Sequence, residues 1–320
     1  MTVRTVVLVG GSGFIGSRLA QRLASLDVRV LILTRHARHA AELRLLPQVE
    51  LIEADVLDAA QLTAVCARAD ALVNLVGVLH SPAGDPYGPA FARAHVELPR
   101  QLVAAARAAG LKRLIHISAL GADAGAPSAY QRSKAAGEAV IRTAGVDLDW
   151  TIFRPSVVFG PHDQFLNLFA RLLPFAPVFP LGGAQAGFQP VFVDDVVEAI
   201  CHALFKHEGI GEVLELAGPR RYTLAELVRY VARLSGRCSL VVPLPEPLAM
   251  LQAACLECLP GPLMSRDNVL SMRRDNFASG AALPFGLQPT VLEQVAPQWL
   301  GAPTAVRGRF NRLRQGARRN

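Results

Sequence analysis

Apolar residues recur in two rhythms along the first half of the chain. Runs of strand length fall at 5–9, 28–33, 50–53, 71–76, 113–117 and 150–153, and helix-period segments lie between them at 15–25, 59–68, 90–109 and 128–143. Strand, helix, strand at this spacing predicts parallel strands joined by crossover helices. The strands are apolar almost throughout, as expected where helices cover both faces of a sheet. The fold class is therefore α/β, a Rossmann-type doubly wound parallel sheet. No internal repeat is visible.

After Arg154 the rhythm breaks. Pro174, Pro177, Pro180, Gly182, Gly183 and Gly187 crowd a stretch of shorter elements. The expected division is a nucleotide-binding domain over 1–155, with 189–210 returning to it, a smaller C-terminal substrate lobe over 156–303, and a basic tail over 304–320. Ligands of such folds sit at the carboxyl edge of the sheet, beneath the lobe.

Composition changes this picture little. Hydrophobic residues are 51% of the chain and charged ones 18%, which excludes global disorder. No apolar stretch reaches the roughly 20 residues that a membrane span needs. The strand and glycine loop at the start leave no room for a secretory signal, so a cytoplasmic location is expected. The five cysteines are scattered and odd in number, which fits reduced thiols. Cys255 and Cys258 form a CxxC with no second pair at metal spacing, and they read as core packing. The net charge of +7 is a property of the tail, where Arg307, Arg309, Arg312, Arg314, Arg318 and Arg319 stand without an acid. Without these six arginines the chain carries +1. One aromatic, Phe310, lies among them, and the run matches no nucleic-acid module, so no specific nucleic acid is expected.

The chemistry begins at the first strand. Gly10, Gly11, Ser12, Gly13, Phe14, Ile15 and Gly16 follow it and lead into a helix. Glycines at 10, 13 and 16 allow a tight turn, close approach to a pyrophosphate, and helix–strand packing, with free helix amides to meet the phosphates. A three-glycine match alone is weak, but this one sits between a strand and a helix. The second strand ends at Thr34-Arg35, where an NAD-specific cradle would carry an acid for the ribose. Arg35, assisted by Arg38, suits a 2′-phosphate, so NADP(H) is favoured, with NAD(H) as the alternative. Asp55 and Val56 are placed for the adenine edge, and Gly77 follows the fourth strand where a side chain would crowd the cofactor.

The fifth strand ends in Ser118, and Tyr130 and Lys134 follow at i and i+4 on one helix face. A lysine there would lower the phenol pKa and hold the nicotinamide ribose. Tyr130 would protonate a carbonyl oxygen as hydride arrives, and Ser118 would hydrogen-bond the same oxygen. No third ligand accompanies His162 and Asp163, and no metal is expected. Asp194 and Asp195 are expected to cap the helix that follows them.

Over about 300 residues the chain resembles the extended and atypical short-chain dehydrogenase/reductases, a class that includes epimerases. The resemblance is carried by VGGSGFIGSRLAQRL, ADVLD, IHISALG, SAYQRSKAAGE, FRPSVVFGP and PVFVDDVVEAI. More narrowly, IHISALGADAGAPSAYQRSKAAGE, LELAGPRRYTLAELV and LPGPLMSRDNVLSMRRDN look like the bacterial branch of the alpha-subcomplex subunit 9 family. That family includes the nucleotide-binding accessory subunit of respiratory NADH:ubiquinone oxidoreductase (complex I).

The resemblance implies a held NADP(H), Pro155 and Val158 near the cofactor, and a link to ubiquinone or respiratory metabolism. It leaves two roles open, an oxidoreductase of a carbonyl or quinone-like substrate and a non-catalytic accessory or assembly subunit. Either role allows peripheral contact with the inner membrane or a respiratory complex through the C-terminal lobe and tail. The family pattern also implies an asparagine on the helix after the fourth strand, to help a proton-relay water. Here His95 stands in its place, to be read either as a buried packing residue or as a relay in its own right.

Overall fold

The computed structural model describes residues 3–35, 37–236, 239–259 and 263–300. Seven parallel strands form the main sheet: β1 (Thr5–Val9), β2 (Arg29–Thr34), β3 (Val49–Glu53), β4 (Ala71–Asn74), β5 (Arg113–Ile117), β6 (Asp149–Pro155) and β7 (Glu212–Leu216). Their spatial order is β7-β6-β5-β4-β1-β2-β3, which reverses direction beside β1. That reversal opens the crevice in which ligands of such sheets sit.

Alternation along each strand sorts the core into two layers. Val6 and Leu8 of β1 face α1 (Phe14–Ser25) on one side of the sheet. Val7 and Val9 face α2 (Ala59–Cys66), α3 (Leu98–Ala108) and α4 (Ala129–Arg142) on the other. All four β1 residues are fully buried, so both faces of this strand count as core.

The lobe follows from α5 (Leu166–Leu172). After it, α6 (Val193–Phe205) returns to pack beside α1, and the next strand, β7, pairs with β6. Of the stretch 189–210 expected to return to the sheet, the short strand Val191–Phe192 instead pairs with Val158–Phe159 outside it. Asp194 and Asp195 lie in the first turn of α6 without capping it. Asp194 takes both Nε and Nη2 of Arg18, and Asp195 accepts from the amide and hydroxyl of Thr290.

The lobe core gathers Phe159, Leu166 and Phe169 with Leu224, Leu227, Val228 and Val231 of α7 (Leu224–Leu234). Thr223 and Glu226 form a capping box at the start of α7. Then come α8 (Glu246–Glu257) and α9 (Arg266–Ser271). No helix among the described residues is long and apolar enough to cross a membrane. The basic tail, 304–320, lies outside the described residues.

Candidate active site

The turn after β1 is built to leave space. Gly10 has φ +85°, and its carbonyl accepts the Gly13 amide at 3.0 Å. A Cβ on Gly16 would stand 2.5 Å from that same carbonyl and 2.6 Å from the Gly11 Cα. Only glycine lets α1 start so close to the strand. Gly13 is the N-cap of α1 and brings no side chain to its first-turn amides, which therefore stay available to a ligand. A dinucleotide phosphate fits this cradle. Around it, Ser12, Phe14 and Ile15 are half-buried, and Gly11 is buried.

Arg35 is exposed one residue beyond β2. In the same corner Glu53 Oε1 accepts the Ala37 amide at 2.9 Å and fixes the turn behind the arginine. The Arg38 side chain lies outside the described residues. Asp55 folds back on the Leu57 amide at 3.0 Å, and Val56 packs half-buried against the core. Pro155 closes β6, its carbonyl taking the Leu120 amide at 2.9 Å. Val158 lies half-buried in the short pair with Val191. Gly77 makes room for a neighbour, because a Cβ there would meet Lys134 Nζ at 3.2 Å.

Tyr130 and Lys134 lie one turn apart on α4. The lysine is buried and donates to the Ile117 carbonyl at 3.2 Å. Burial pulls its pKa down to about 8, opposed by the carboxylate of Glu138. Tyr130 is half-buried, its ring edge-on to Phe91 and His95. The expected lowering of the phenol pKa is reversed, since desolvation pushes it up to about 12. The phenol is therefore protonated throughout the neutral range and makes no hydrogen bond among the described residues.

Ser118 departs from expectation. Its buried hydroxyl donates to Glu138 Oε1 at 2.6 Å. The Glu138 carboxylate also takes Arg154 through Nε at 2.7 Å and Nη2 at 2.6 Å. The hydroxyl is thus directed at the carboxylate of the neighbouring helix. The bidentate pair ties β6 to α4 and leaves Ser118 as part of that tie. Glu138 was legible in principle, because Tyr130, Lys134 and Glu138 share one helix face at successive turns.

His95 is resolved by its partners. Nε2 accepts the Val78 amide at 3.1 Å, so the proton of the neutral ring is on Nδ1, 2.8 Å from the Ser133 hydroxyl. Burial, with the charge of Lys134 second, drives its pKa down to about 2. Both ring nitrogens are therefore engaged within the fold.

A local rule explains how His95 got there. Pro99 lies four residues on and has no N–H to donate to the His95 carbonyl. The turn Ala92–Glu97 is π-helical, and that carbonyl presses against Gly137, where a Cβ would come within 2.1 Å. His116 on β5 is buried as well. Asn74 gives its amide nitrogen to His116 Nδ1 at 3.0 Å, which puts the proton on a buried Nε2 that has no partner among the described residues.

Contacts from the lobe were not legible. Asp267 of α9 accepts the amides of Ala129 and Tyr130, and Asn276 Oδ1 takes the Ser156 hydroxyl at 2.5 Å and the Val157 amide at 3.1 Å. Partners more than a hundred residues away leave no periodic signal. A cavity of about 310 Å³ in the lobe has α9 and the strand Leu240–Leu244 in its wall, with Gln185, Leu244, Met272 and Arg273 among its lining. Among the described residues no three His, Cys, Asp or Glu side chains gather as metal ligands.

A parallel sheet in this order, a glycine cradle after β1 and a Tyr–Lys helix after β5 define the extended short-chain dehydrogenase/reductase class. The chain belongs to the NAD dependent epimerase/dehydratase family, whose model matches residues 6–217. It is similar to the NADH dehydrogenase [ubiquinone] 1 alpha subcomplex subunit 9 of Arabidopsis thaliana mitochondria. The two are 32% identical over 294 residues, which is 86% of this chain and 71% of that protein. A ceramide reductase of Caulobacter vibrioides is 29% identical over 255 residues, 79% of this chain and 77% of the relative. Among solved structures, the UDP-glucose 4-epimerase of Thermotoga maritima superposes with a TM-score of 0.70. It shares 19% identity, over 92% of this chain and 96% of that one.

Proposed function

We propose that this protein is an NADP(H)-binding oxidoreductase of a carbonyl or quinone-like substrate, with Tyr130 as its proton donor. The observation that carries the reading is the half-buried phenol one helical turn before buried Lys134, at the sheet edge that carries the glycine cradle. Gly10 through Gly16 would hold the pyrophosphate, Arg35 and Arg38 the 2′-phosphate, and Asp55 and Val56 the adenine end. Pro155 and Val158 would flank the nicotinamide, and Lys134 the ribose beside it. A bound nicotinamide would supply or accept the hydride. Tyr130, protonated at neutral pH, would deliver a proton to the substrate oxygen. Lys134 keeps positive charge beneath it, while Glu138 and Arg154 hold the helix against β6.

The test is NADPH oxidation over a panel of aldehydes, ketones and short-chain quinones. Tyr130→Phe should lower turnover by about 10²–10⁴-fold with NADPH affinity nearly unchanged. Arg35→Ala should weaken NADPH by roughly tenfold or more and NADH little, as for loss of a charge-assisted phosphate contact. Retained turnover in Tyr130→Phe overturns the catalytic reading, and equal losses for both nucleotides overturn the 2′-phosphate assignment.

A second reading, an accessory subunit of a respiratory complex peripheral to the membrane, is favoured by one surface. Leu248, Leu251 and Leu259, on α8 and just beyond it, are 50%, 61% and 46% exposed. An apolar face of this kind marks an interaction site. The names of the mitochondrial relatives support the same reading.

A further inference from the structure

The first turn of α4 has three amides that no α-helical bond can satisfy, on Ala129, Tyr130 and Gln131. Ser128, the N-cap, takes the last at 3.1 Å. The other two are held from the lobe, where Asp267 Oδ1 accepts from Ala129 at 2.6 Å and Oδ2 from Tyr130 at 2.9 Å. One carboxylate thus grips the backbone of the proposed proton donor across 137 residues of sequence.

Asp267 is itself held in place. Ser265 and Asn268 form a capping box that fixes the start of α9, and the Ser271 hydroxyl donates to the Asp267 carbonyl at 3.0 Å. Next to it, Arg266 gives its amide and Nε to Glu257 of α8 at 2.6 and 2.9 Å. The phenol ring of Tyr130 rests edge-on against His95 and Phe91, and both rings belong to the nucleotide half. Tyr130 therefore has its ring seated by one region and its backbone by the other.

We propose that Asp267 is a positioning residue for Tyr130: through its two amide contacts, docking of the C-terminal lobe and alignment of the phenol are one event. The proposal rests on the catalytic reading of Tyr130, but its first readout does not. Without Asp267 the helix keeps its Ser128 cap and loses its tie to the lobe.

The experiment is residue-resolved hydrogen exchange on the full chain, comparing wild type with Asp267→Ala and Asp267→Asn. The amides of Ala129 and Tyr130 have no intrahelical partner, so their protection reports the carboxylate alone. In Asp267→Ala both should exchange at least roughly tenfold faster, while the amides beyond Arg132 keep wild-type rates. Asp267→Asn, with one acceptor oxygen, should retain one of the two protections, and it decides the matter if the alanine variant does not fold.

With a reducible substrate in hand, kcat should fall about tenfold in Asp267→Ala, with KM for NADPH within about twofold. Wild-type exchange at both amides in a folded alanine variant overturns the proposal, as does equal loss of protection along all of α4 and β1. Unchanged kcat alongside faster exchange also overturns it, because the grip would then be structural only. Should Tyr130→Phe retain full turnover, the catalytic reading fails by itself while the exchange result still stands.

Discussion

The nucleotide half and the C-terminal lobe treat their apolar residues in opposite ways. Helix α3 buries Leu98, Leu102 and Val103 against the sheet and points its arginines outward. Helix α8 instead buries Ala249 and Ala253, and turns Leu248 and Leu251 to solvent. The first is an amphipathic helix serving a core; the second packs through its small residues and leaves an apolar face that no described residue covers. The halves are also joined differently. Within the nucleotide half, cohesion comes from continuous apolar layers, whereas the lobe has an apolar core of its own and meets the nucleotide half through Leu283 and Phe285 and through polar contacts such as those of Asp267 and Asn276.

The largest effect that separates the two regions should come from acid. His95 and His116 are buried and neutral, with pKa values lowered to about 2 and about 3, and burial is the larger cause for both. The unfolded chain titrates near 6.5, so folded and unfolded states bind different numbers of protons below that pH. The stability concerned is fully present above about pH 6.5 and is lost as pH falls toward the folded values. Each histidine costs about 1.4 kcal/mol per pH unit in that window, so the pair costs about 4 kcal/mol by pH 5. Urea unfolding of wild type and His116→Gln at about pH 7 and pH 5 checks this. The variant should lose about half as much stability as wild type over the interval, and an equal loss would show that His116 is not held neutral.

The smallest effect belongs to the lobe surface. Leu248→Ser with Leu251→Ser should change stability by no more than about 0.5 kcal/mol each, whereas Leu102→Ala in α3 should cost roughly 2–5 kcal/mol. Thermal melts of the three variants make the comparison. A serine pair as damaging as Leu102→Ala would mean that α8 faces core and that the comparison is wrong.

Much of the nucleotide half could be read from periodicity, because parallel strands covered on both faces are almost purely apolar. The span of β5 follows from that signal alone, and β2 and β6 differ from expectation only at their ends. Helix α8 shows the limit of that signal. Leu248, Leu251, Cys255 and Leu259 recur at helical spacing, and the structure exposes all four. Periodicity finds a face but cannot say which face is covered when the packing side is made of alanines. Tyr130 and Lys134 were legible from their spacing, and His95 from its place in the pattern. The roles of Ser118 and His95 were not, because both depend on partners brought in by other elements, Glu138 for one and Val78 with Ser133 for the other.

Nucleotide binding depends on the space between β1 and α1, and calorimetric titration of NADPH into wild type and Gly16→Ala tests it directly. A methyl at position 16 would meet the Gly10 carbonyl at 2.5 Å, so the turn must open to admit it and the cradle loses its shape. The predicted result is binding by wild type and affinity lower by about 100-fold or more in a folded Gly16→Ala. Folded wild type that binds neither NADPH nor NADH, or a Gly16→Ala that binds as wild type does, would contradict it.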